Sequence, residues 1–190
     1  MSAIPVSLQQ YLSQLSPHAD ANMALSQFFE TLNYEKNEVI FARGKIAHKI
    51  LFLESGSVLS SRPFGNTLIT HRFWTCGQMI FPAESMFTNS PLLYSCTAIE
   101  PTTSTAISYS SIREFISQHP DGWDVIAKFF STDLAFWQDR LKSLTDLTPM
   151  ARYNKFVSEY PQINRLAKSE FIASYLNMSY ATLARVRRSS

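Results

Sequence analysis

A heptad repeat of apolar residues between Asp121 and Leu147 is the feature that most limits how this chain can fold. Its apolar side chains recur at alternating intervals of four and three residues, which places them along one face of an α-helix. A helix of roughly 27 residues is about 40 Å long, which exceeds the length that a small hydrophobic core requires. The repeat consists of Trp123, Ala127, Phe130, Leu134, Trp137, Leu141 and Leu144.

A second apolar stripe, Phe129 and Phe136, lies beside these heptad positions. One stripe can therefore pack on the rest of the chain while the other meets a second helix. The alternative is an ordinary buried helix of a monomer, because Trp and Phe are bulkier than a regular coiled-coil seam prefers. A sustained heptad with a wide flanking stripe buries poorly in one small domain, so the sequence favours a dimerisation helix and a homodimer.

The segment from residue 35 to residue 109 is predicted to form a small antiparallel β-barrel or β-roll. Four of the five glycines of the chain fall between Gly44 and Gly77. β-rich runs such as Ile50–Leu53 and Leu68–Trp74 lie between these glycines, as expected for short strands joined by turns.

Helices are predicted on both sides of the roll. Helical spacing runs over residues 7–32 with a break at Pro17, and Ser110 is a candidate cap for a short helix that ends before Pro120. Thr148–Pro149 supplies both a stop for the heptad helix and a start for the next one.

The last residues of the chain have the pattern of a helix-turn-helix. Ile172, Ala173 and Leu176 form an apolar face on a first helix, Asn177 suits the turn, and Ser179 is a candidate cap for a second helix. The alternative is a helical hairpin that only packs, with its arginines solvated. Under the DNA-binding interpretation, the predicted contact residues are Ser179, Tyr180, Ala181, Thr182, Arg185, Arg187, Arg188 and Lys168.

The distribution of charge favours the DNA-binding interpretation. The formal net charge is only +2, from 17 basic and 15 acidic residues. Residues 150–190, however, contain seven basic and two acidic side chains, a net of +5, and leave a net of −3 on the first 149 residues. Phosphate contacts need cations on the face that meets DNA, and this end of the chain has a net excess of them.

Several protein classes are excluded by composition and spacing. Cys76 and Cys96 are too few for a disulfide scaffold or a zinc site, which indicates two buried thiols in a reducing compartment. No apolar run approaches the roughly 20 residues of a membrane span, and the first residues lack the pattern of a signal peptide, so the expected location is the cytoplasm. The four histidines are scattered, so we expect no metal site, no cofactor, no catalytic residues and no jelly-roll metalloenzyme.

A β-roll, a long helix and a C-terminal helix-turn-helix, in this order, resemble the Crp/Fnr family of bacterial transcription regulators. The resemblance implies a homodimeric DNA-binding regulator with a palindromic operator, and RNA polymerase is a further candidate partner. The residues that carry it are Asn37–Phe41, Gly44, Ile50–Gly56, Ile107–Tyr109, Phe171–Leu176 and Thr182–Arg185.

The resemblance fixes the predicted fold class and domain organisation. The class is α+β, with N-terminal helices and an antiparallel, jelly-roll-like β-roll that resembles a cyclic nucleotide-binding domain. The predicted units are the sensor roll (residues 1–118), the dimerisation helix (residues 119–148) and the helix-turn-helix domain (residues 149–190). The alternative function is a ligand-binding or protein-interaction roll with a degenerate helix-turn-helix that does not bind DNA.

The roll departs from the family members that bind cyclic nucleotides. Those members have a Gly-Glu pair, whose Glu holds the ribose, and an Arg about ten residues later that neutralises the phosphate. Glu84 resembles that Glu, but Pro82–Ala83 replaces the glycine, and residues 73–112 contain no Lys or Arg. Burying a phosphate without a cation or several donors is costly, so we expect no tight binding of cyclic AMP or cyclic GMP.

The effector is therefore unknown, or there is none. The pocket is predicted to be lined by neutral hydrogen-bonding groups beside Glu84, or to be filled by its own side chains. Because no cysteine precedes Cys76, an N-terminal iron–sulfur sensor is excluded. The candidate lining residues are Glu84, Ser85, Thr88, Ser95 and Thr97, and the candidate filling residues are Met86, Phe87, Leu92 and Tyr94.

The second helix of the motif also departs from familiar family members. Arg185 keeps the residue type that contacts guanine through two hydrogen bonds in the major groove. Tyr180 offers a phosphate or stacking contact, and Ala181 an apolar contact to a thymine methyl group. We therefore expect a DNA site that differs from the familiar one.

Overall fold

The computed structural model describes Leu8, Gln10, Tyr11 and residues 28–119 and 122–189, and its fold is α+β as predicted. Residues 28–119 and 122–189 contain eight strands and seven helices. The strands are β1 (Glu30–Tyr34), β2 (Val39–Phe41), β3 (Lys49–Ser55), β4 (Ser57–Phe64), β5 (Thr67–Thr75), β6 (Met79–Ile80), β7 (Ser95–Ala98) and β8 (Thr102–Ser108). The helices are α1 (Ala83–Thr88), α2 (Tyr109–Gln118), α3 (Gly122–Asp146), α4 (Pro149–Glu159), α5 (Pro161–Leu166), α6 (Ser169–Tyr175) and α7 (Tyr180–Ser189).

The strands form two four-stranded antiparallel sheets, with orders β1-β8-β3-β6 and β2-β7-β4-β5. Their buried faces share one core, in which Leu51 and Leu53 of the first sheet join Val58 and Cys96 of the second. Gly56 connects β3 to β4 with φ +86°, and a Cβ at this position would lie 2.4 Å from the Thr102 Oγ1. Only glycine fits this turn.

The prediction of a helix over residues 7–32 is wrong at its C-terminal end. Thr31 and Leu32 lie in β1, because this segment pairs with β8 along the edge of the first sheet. Most of the predicted helix falls outside the described residues, although Leu8, Gln10 and Tyr11 are helical. The short helix α1 within the roll was not predicted.

The residues predicted to begin the helices are partly confirmed by the structure. The prediction of Ser110 as a helix cap is wrong, because the Ser108 Oγ accepts the N–H of Ser111 at 3.1 Å and begins α2 two residues earlier. The helix start at Thr148 is confirmed, since its Oγ1 accepts the Ala151 N–H at 3.3 Å with Pro149 in the first turn. The heptad helix is confirmed as α3.

The C-terminal helices pack directly on the roll. One hydrophobic cluster joins Phe73 of β5 to Phe156 of α4 and Tyr175 of α6. At the free edge of β5, the Ser174 Oγ accepts the N–H of Thr70 at 2.9 Å and donates to the carbonyl of Leu68 at 3.0 Å. The segment predicted as a separate domain from residue 149 therefore shares a core with the roll.

Candidate nucleic-acid interface and ligand cavity

The helix-turn-helix is built by α6 and α7. Asn177 has φ 49°, so it adopts the left-handed conformation expected at the turn. The Ser179 Oγ accepts the N–H of Thr182 at 3.0 Å and caps α7. Leu183 and Val186 are buried and hold α7 against the other C-terminal helices.

The opposite face of α7 is open to solvent. Tyr180 is 66% exposed, and Ala181, Arg185 and Arg188 are also exposed. Within the described residues, the Arg185 guanidinium has neither a hydrogen bond nor an ion pair. The structure thus presents a free cation on the exposed face of the second helix.

Arg187 and Lys168, which were also predicted to contact DNA, differ in whether their side chains are already bonded to other residues. Arg187 donates to the Ser169 Oγ at 2.7 Å and to the Asn164 Oδ1 at 3.2 Å, so it fastens α7 to α5 and α6. Lys168 is largely exposed and lies 3.9 Å from the Glu170 carboxylate. An exposed pair of this kind is weak, which leaves Lys168 free to contact phosphate.

The heptad positions form a stripe on the exposed side of α3. Leu134 is 59% exposed and Leu141 is 63% exposed, although both are large apolar side chains. The second stripe faces the roll, where the ring of Phe129 lies 5.1 Å from that of Phe81. The exposed set comprises Trp123, Ala127, Phe130, Leu134, Trp137 and Leu141, with Leu144 half-buried at its end.

A cavity of about 270 Å³ lies between the roll and α3. Of the five predicted pocket residues, only Glu84 lines it. The hydroxyl of Ser85 is buried in a structural role, where it accepts the Ala47 N–H and donates to the Ser90 carbonyl. Of the predicted filling residues, Tyr94 lines the cavity. The full lining is Ser60, His71, Arg72, Trp74, Met79, Phe81, Ala83, Glu84, Tyr94, Phe129, Phe130, Asp133 and Trp137.

The remaining predicted pocket groups also bond to nearby backbone or lie on a strand. Thr88 donates its hydroxyl to the carbonyl of Glu84 at 2.6 Å. The Ser95 Oγ accepts the N–H of Arg43 at 3.0 Å, and Thr97 lies in β7. Short hydroxyl side chains often form hydrogen bonds with backbone groups in this way. For this reason their presence in the sequence did not predict a ligand site.

The cavity contains a cation that the sequence-based prediction missed. Arg72 lies one residue before the cation-free stretch that begins at Phe73, and its Nη1 donates to the Asp133 carboxylate of α3. The Arg72 guanidinium also lies over the rings of Phe136, at 3.9 Å, and Trp74, at 5.1 Å. The cation is therefore already paired with a carboxylate and stacked on aromatic rings.

A β-bulge brings a second side chain of β5 to the same cavity. Ser60 pairs with Arg72 and Ser61 pairs with Thr70, so His71 is the extra residue. A bulge redirects the side chain that it inserts, and both His71 and Arg72 line the cavity. Burial lowers the pKa of His71, and the nearby Arg62 and Arg140 lower it further, so its imidazole is neutral at pH 7.

Arg140 connects α3 to the helix-turn-helix. Its guanidinium lies 3.7 Å from the centre of the Tyr175 ring and donates to the Tyr175 carbonyl. Burial lowers the pKa of Arg140, and this contact with the tyrosine offsets part of that shift. The long helix therefore contacts both the cavity and α6.

The described residues contain neither a candidate metal site nor a helix that could span a membrane. In residues 28–119 and 122–189, no three His, Cys, Asp or Glu side chains are grouped as metal ligands. No helix in this part of the chain is long and apolar enough to cross a membrane.

Known proteins share this architecture. Residues 31–119 match the family model of the cyclic nucleotide-binding domain. The structure of FixK2 from Bradyrhizobium japonicum is similar with a TM-score of 0.72 at 18% identity, over 85% of this chain and 83% of that one. CLP, a c-di-GMP responsive global regulator of Xanthomonas campestris, is similar with a TM-score of 0.70 at 14% identity, over 90% of each chain. The catabolite activator protein of Thermus thermophilus has a TM-score of 0.59 at 18% identity, over 94% of this chain and 85% of that one. No curated protein is significantly similar in sequence.

Proposed function

We propose that this chain, which combines a cyclic nucleotide-binding domain with the overall fold of the Crp/Fnr regulators, is a homodimeric DNA-binding transcription regulator. The observation that carries the proposal is the exposed, unpaired guanidinium of Arg185 on α7, within the described residues. It lies in a C-terminal segment of net charge +5, and a positive face is what the phosphate backbone requires.

The dimer is supported by the exposed stripe on α3. Trp123, Leu134 and Leu141 are each more than half exposed, which is costly for a monomer in water. A second copy of the helix would cover all three, because the heptad repeat matches the spacing of a two-helix seam. A two-fold dimer presents two copies of α7 about one turn of DNA apart, so the operator is an imperfect palindrome.

The cavity supports a regulator that does not respond to cyclic AMP. A cyclic phosphate needs a free cation or several donors, whereas Arg72 is already paired with Asp133. Glu84 adds a second carboxylate to the lining. Among proteins of similar fold, CLP is described as responsive to c-di-GMP, so this fold is compatible with more than one ligand.

Replacing Arg185 with alanine tests the proposal. A duplex selected from a random pool by the full chain should lose at least about 30-fold in affinity with R185A, because both subunits of the proposed dimer lose a bidentate contact to guanine and each contact contributes about 1–3 kcal/mol. The base preference should relax at one position in each half-site. Electrophoretic mobility shift with the wild-type and variant chains measures both effects.

Arg43→Ala is the matched control for charge. Arg43 is exposed in the turn after β2, far from α7 in the sequence, and its loss removes the same charge. We expect R43A to bind the selected duplex as the wild type does. If no duplex is selected, the chain is instead a roll with a degenerate helix-turn-helix. If R185A and R43A bind the selected duplex equally, the role assigned to Arg185 is wrong.

A further inference from the structure

Strand β5 lies at the edge of its sheet, and the helix-turn-helix covers part of that edge. The backbone N–H and C=O groups that point outward from an edge strand have no strand partner. The Ser174 hydroxyl of α6 bonds to two of them, because it accepts the N–H of Thr70 at 2.9 Å and donates to the carbonyl of Leu68 at 3.0 Å. The first helix of the motif is therefore fixed to the roll by two directional bonds.

Two further polar contacts hold the C-terminal helices in the same position. The Glu100 carboxylate, in the turn between β7 and β8, accepts the Nε2 of Gln162 in α5 at 3.1 Å and the hydroxyl of Ser57 at 2.7 Å. The Arg140 guanidinium of α3 stacks on the ring of Tyr175 in α6. The C-terminal helices are thus bonded to three separate elements, which are β5, the β7–β8 turn and α3.

Apolar packing makes the release of these helices costly. The rings of Phe73, Phe156 and Tyr175 are buried where the roll meets the helices. Separation would expose these rings to water, and its cost rises with the apolar area that is exposed. The docked position is therefore the stable one in the free chain.

The docked position leaves the outer face of α7 open. Tyr180, Ala181, Arg185 and Arg188 are all exposed while Ser174 is bonded to β5. An autoinhibitory contact would cover the residues whose binding it blocks. Here the contact covers the edge of the roll instead, and the candidate DNA-binding side chains stay accessible.

We propose that the helix-turn-helix binds DNA while it is docked on β5, without release from the roll. This inference rests on the proposed function and adds that the position described here is the one that binds. Ser174 is then a positioning residue, because it fixes α6 on the roll and α6 in turn holds α7. A regulator that had to release its helix-turn-helix would break the bonds of Ser174 when it binds DNA.

The exchange of the Thr70 amide hydrogen with solvent tests the proposal, because this N–H donates to Ser174 and exchanges when the bond opens. Exchange in the isotope-labelled full chain is followed by NMR with and without the duplex selected from the random pool. We expect Thr70 to be protected in the free chain and to exchange no faster in the complex. Faster exchange in the complex, or an unprotected Thr70 in the free chain, would overturn the proposal.

Ser174→Ala and Ser95→Ala form a matched pair of variants. Each removes a hydroxyl that accepts a backbone N–H, from Thr70 in the first case and from Arg43, at 3.0 Å, in the second. S174A should speed exchange at Thr70 about tenfold and leave Arg43 unchanged, and S95A should show the opposite pattern. Unchanged exchange at Thr70 in S174A would contradict the role of Ser174. A chain that selects no duplex overturns the proposed function and this inference together, whereas a bound duplex with faster exchange at Thr70 overturns this inference alone.

Discussion

Replacing Phe73 with alanine is expected to lower the free energy of unfolding of the chain by about 3–5 kcal/mol. Phe73 belongs to β5 of the roll and has no exposed surface. Its ring lies 5.1 Å from that of Tyr175, 5.9 Å from that of Phe156 and 6.2 Å from that of Tyr160. The substitution therefore leaves a cavity between the roll and the C-terminal helices. Urea unfolding followed by circular dichroism and by tryptophan fluorescence measures the loss.

We also predict that circular dichroism and tryptophan fluorescence change at the same urea concentrations. Because the roll and the C-terminal helices share a core, we expect one cooperative transition by both probes in the wild type. Phe64→Ala is the control, since Phe64 is exposed at the end of β4 and should change the stability by less than about 0.5 kcal/mol. Two separate wild-type transitions, or an F73A variant as stable as F64A, would show that the packing is not shared.

Replacing Leu134 with glutamate should convert the proposed dimer into a monomer. Leu134 lies at the middle of the exposed heptad stripe, and a two-helix seam would bury both copies of the new carboxylate. We expect the Kd of the dimer to rise at least about a hundredfold, because buried unpaired charges are costly. Sedimentation equilibrium over a range of protein concentrations measures this change.

Leu93→Glu is the matched control for the stripe. Leu93 is 74% exposed on the roll and lies outside α3, so the same substitution adds the same charge without reaching the seam. L93E should therefore remain dimeric. A monomeric wild type, or an L134E chain that associates like the wild type, would refute the proposed dimer helix.

The sequence predicted well those features that depend on neighbouring residues. The heptad spacing, the left-handed Asn177 and the caps at Thr148 and Ser179 each depend on a few consecutive positions. Such local rules operate within one or two helical turns. The wrong prediction of a cap at Ser110 shows the limit of these rules. Several neighbouring serines could cap the helix, and Ser108 is the one that accepts the N–H of Ser111.

The composition of the cavity depends on contacts that local patterns do not contain. His71 lines it because of a β-bulge, and Asp133 reaches Arg72 from a helix 61 residues away in the chain. The bond from Ser174 to the edge of β5 spans more than 100 residues. Of the residues that the sequence suggested for a pocket, Glu84 and Tyr94 line the cavity, because a resemblance carries long-range information that spacing does not.

The salt dependence of binding to the selected duplex tests DNA recognition most directly. Lys168 and Arg188 are exposed, and two phosphate contacts from each subunit of the proposed dimer predict a slope of log K against log salt concentration of roughly −4. Binding should weaken more than about a hundredfold between about 50 mM and about 200 mM salt. Binding that stays constant over this range, or no binding at the lower salt concentration, would contradict the proposed regulator.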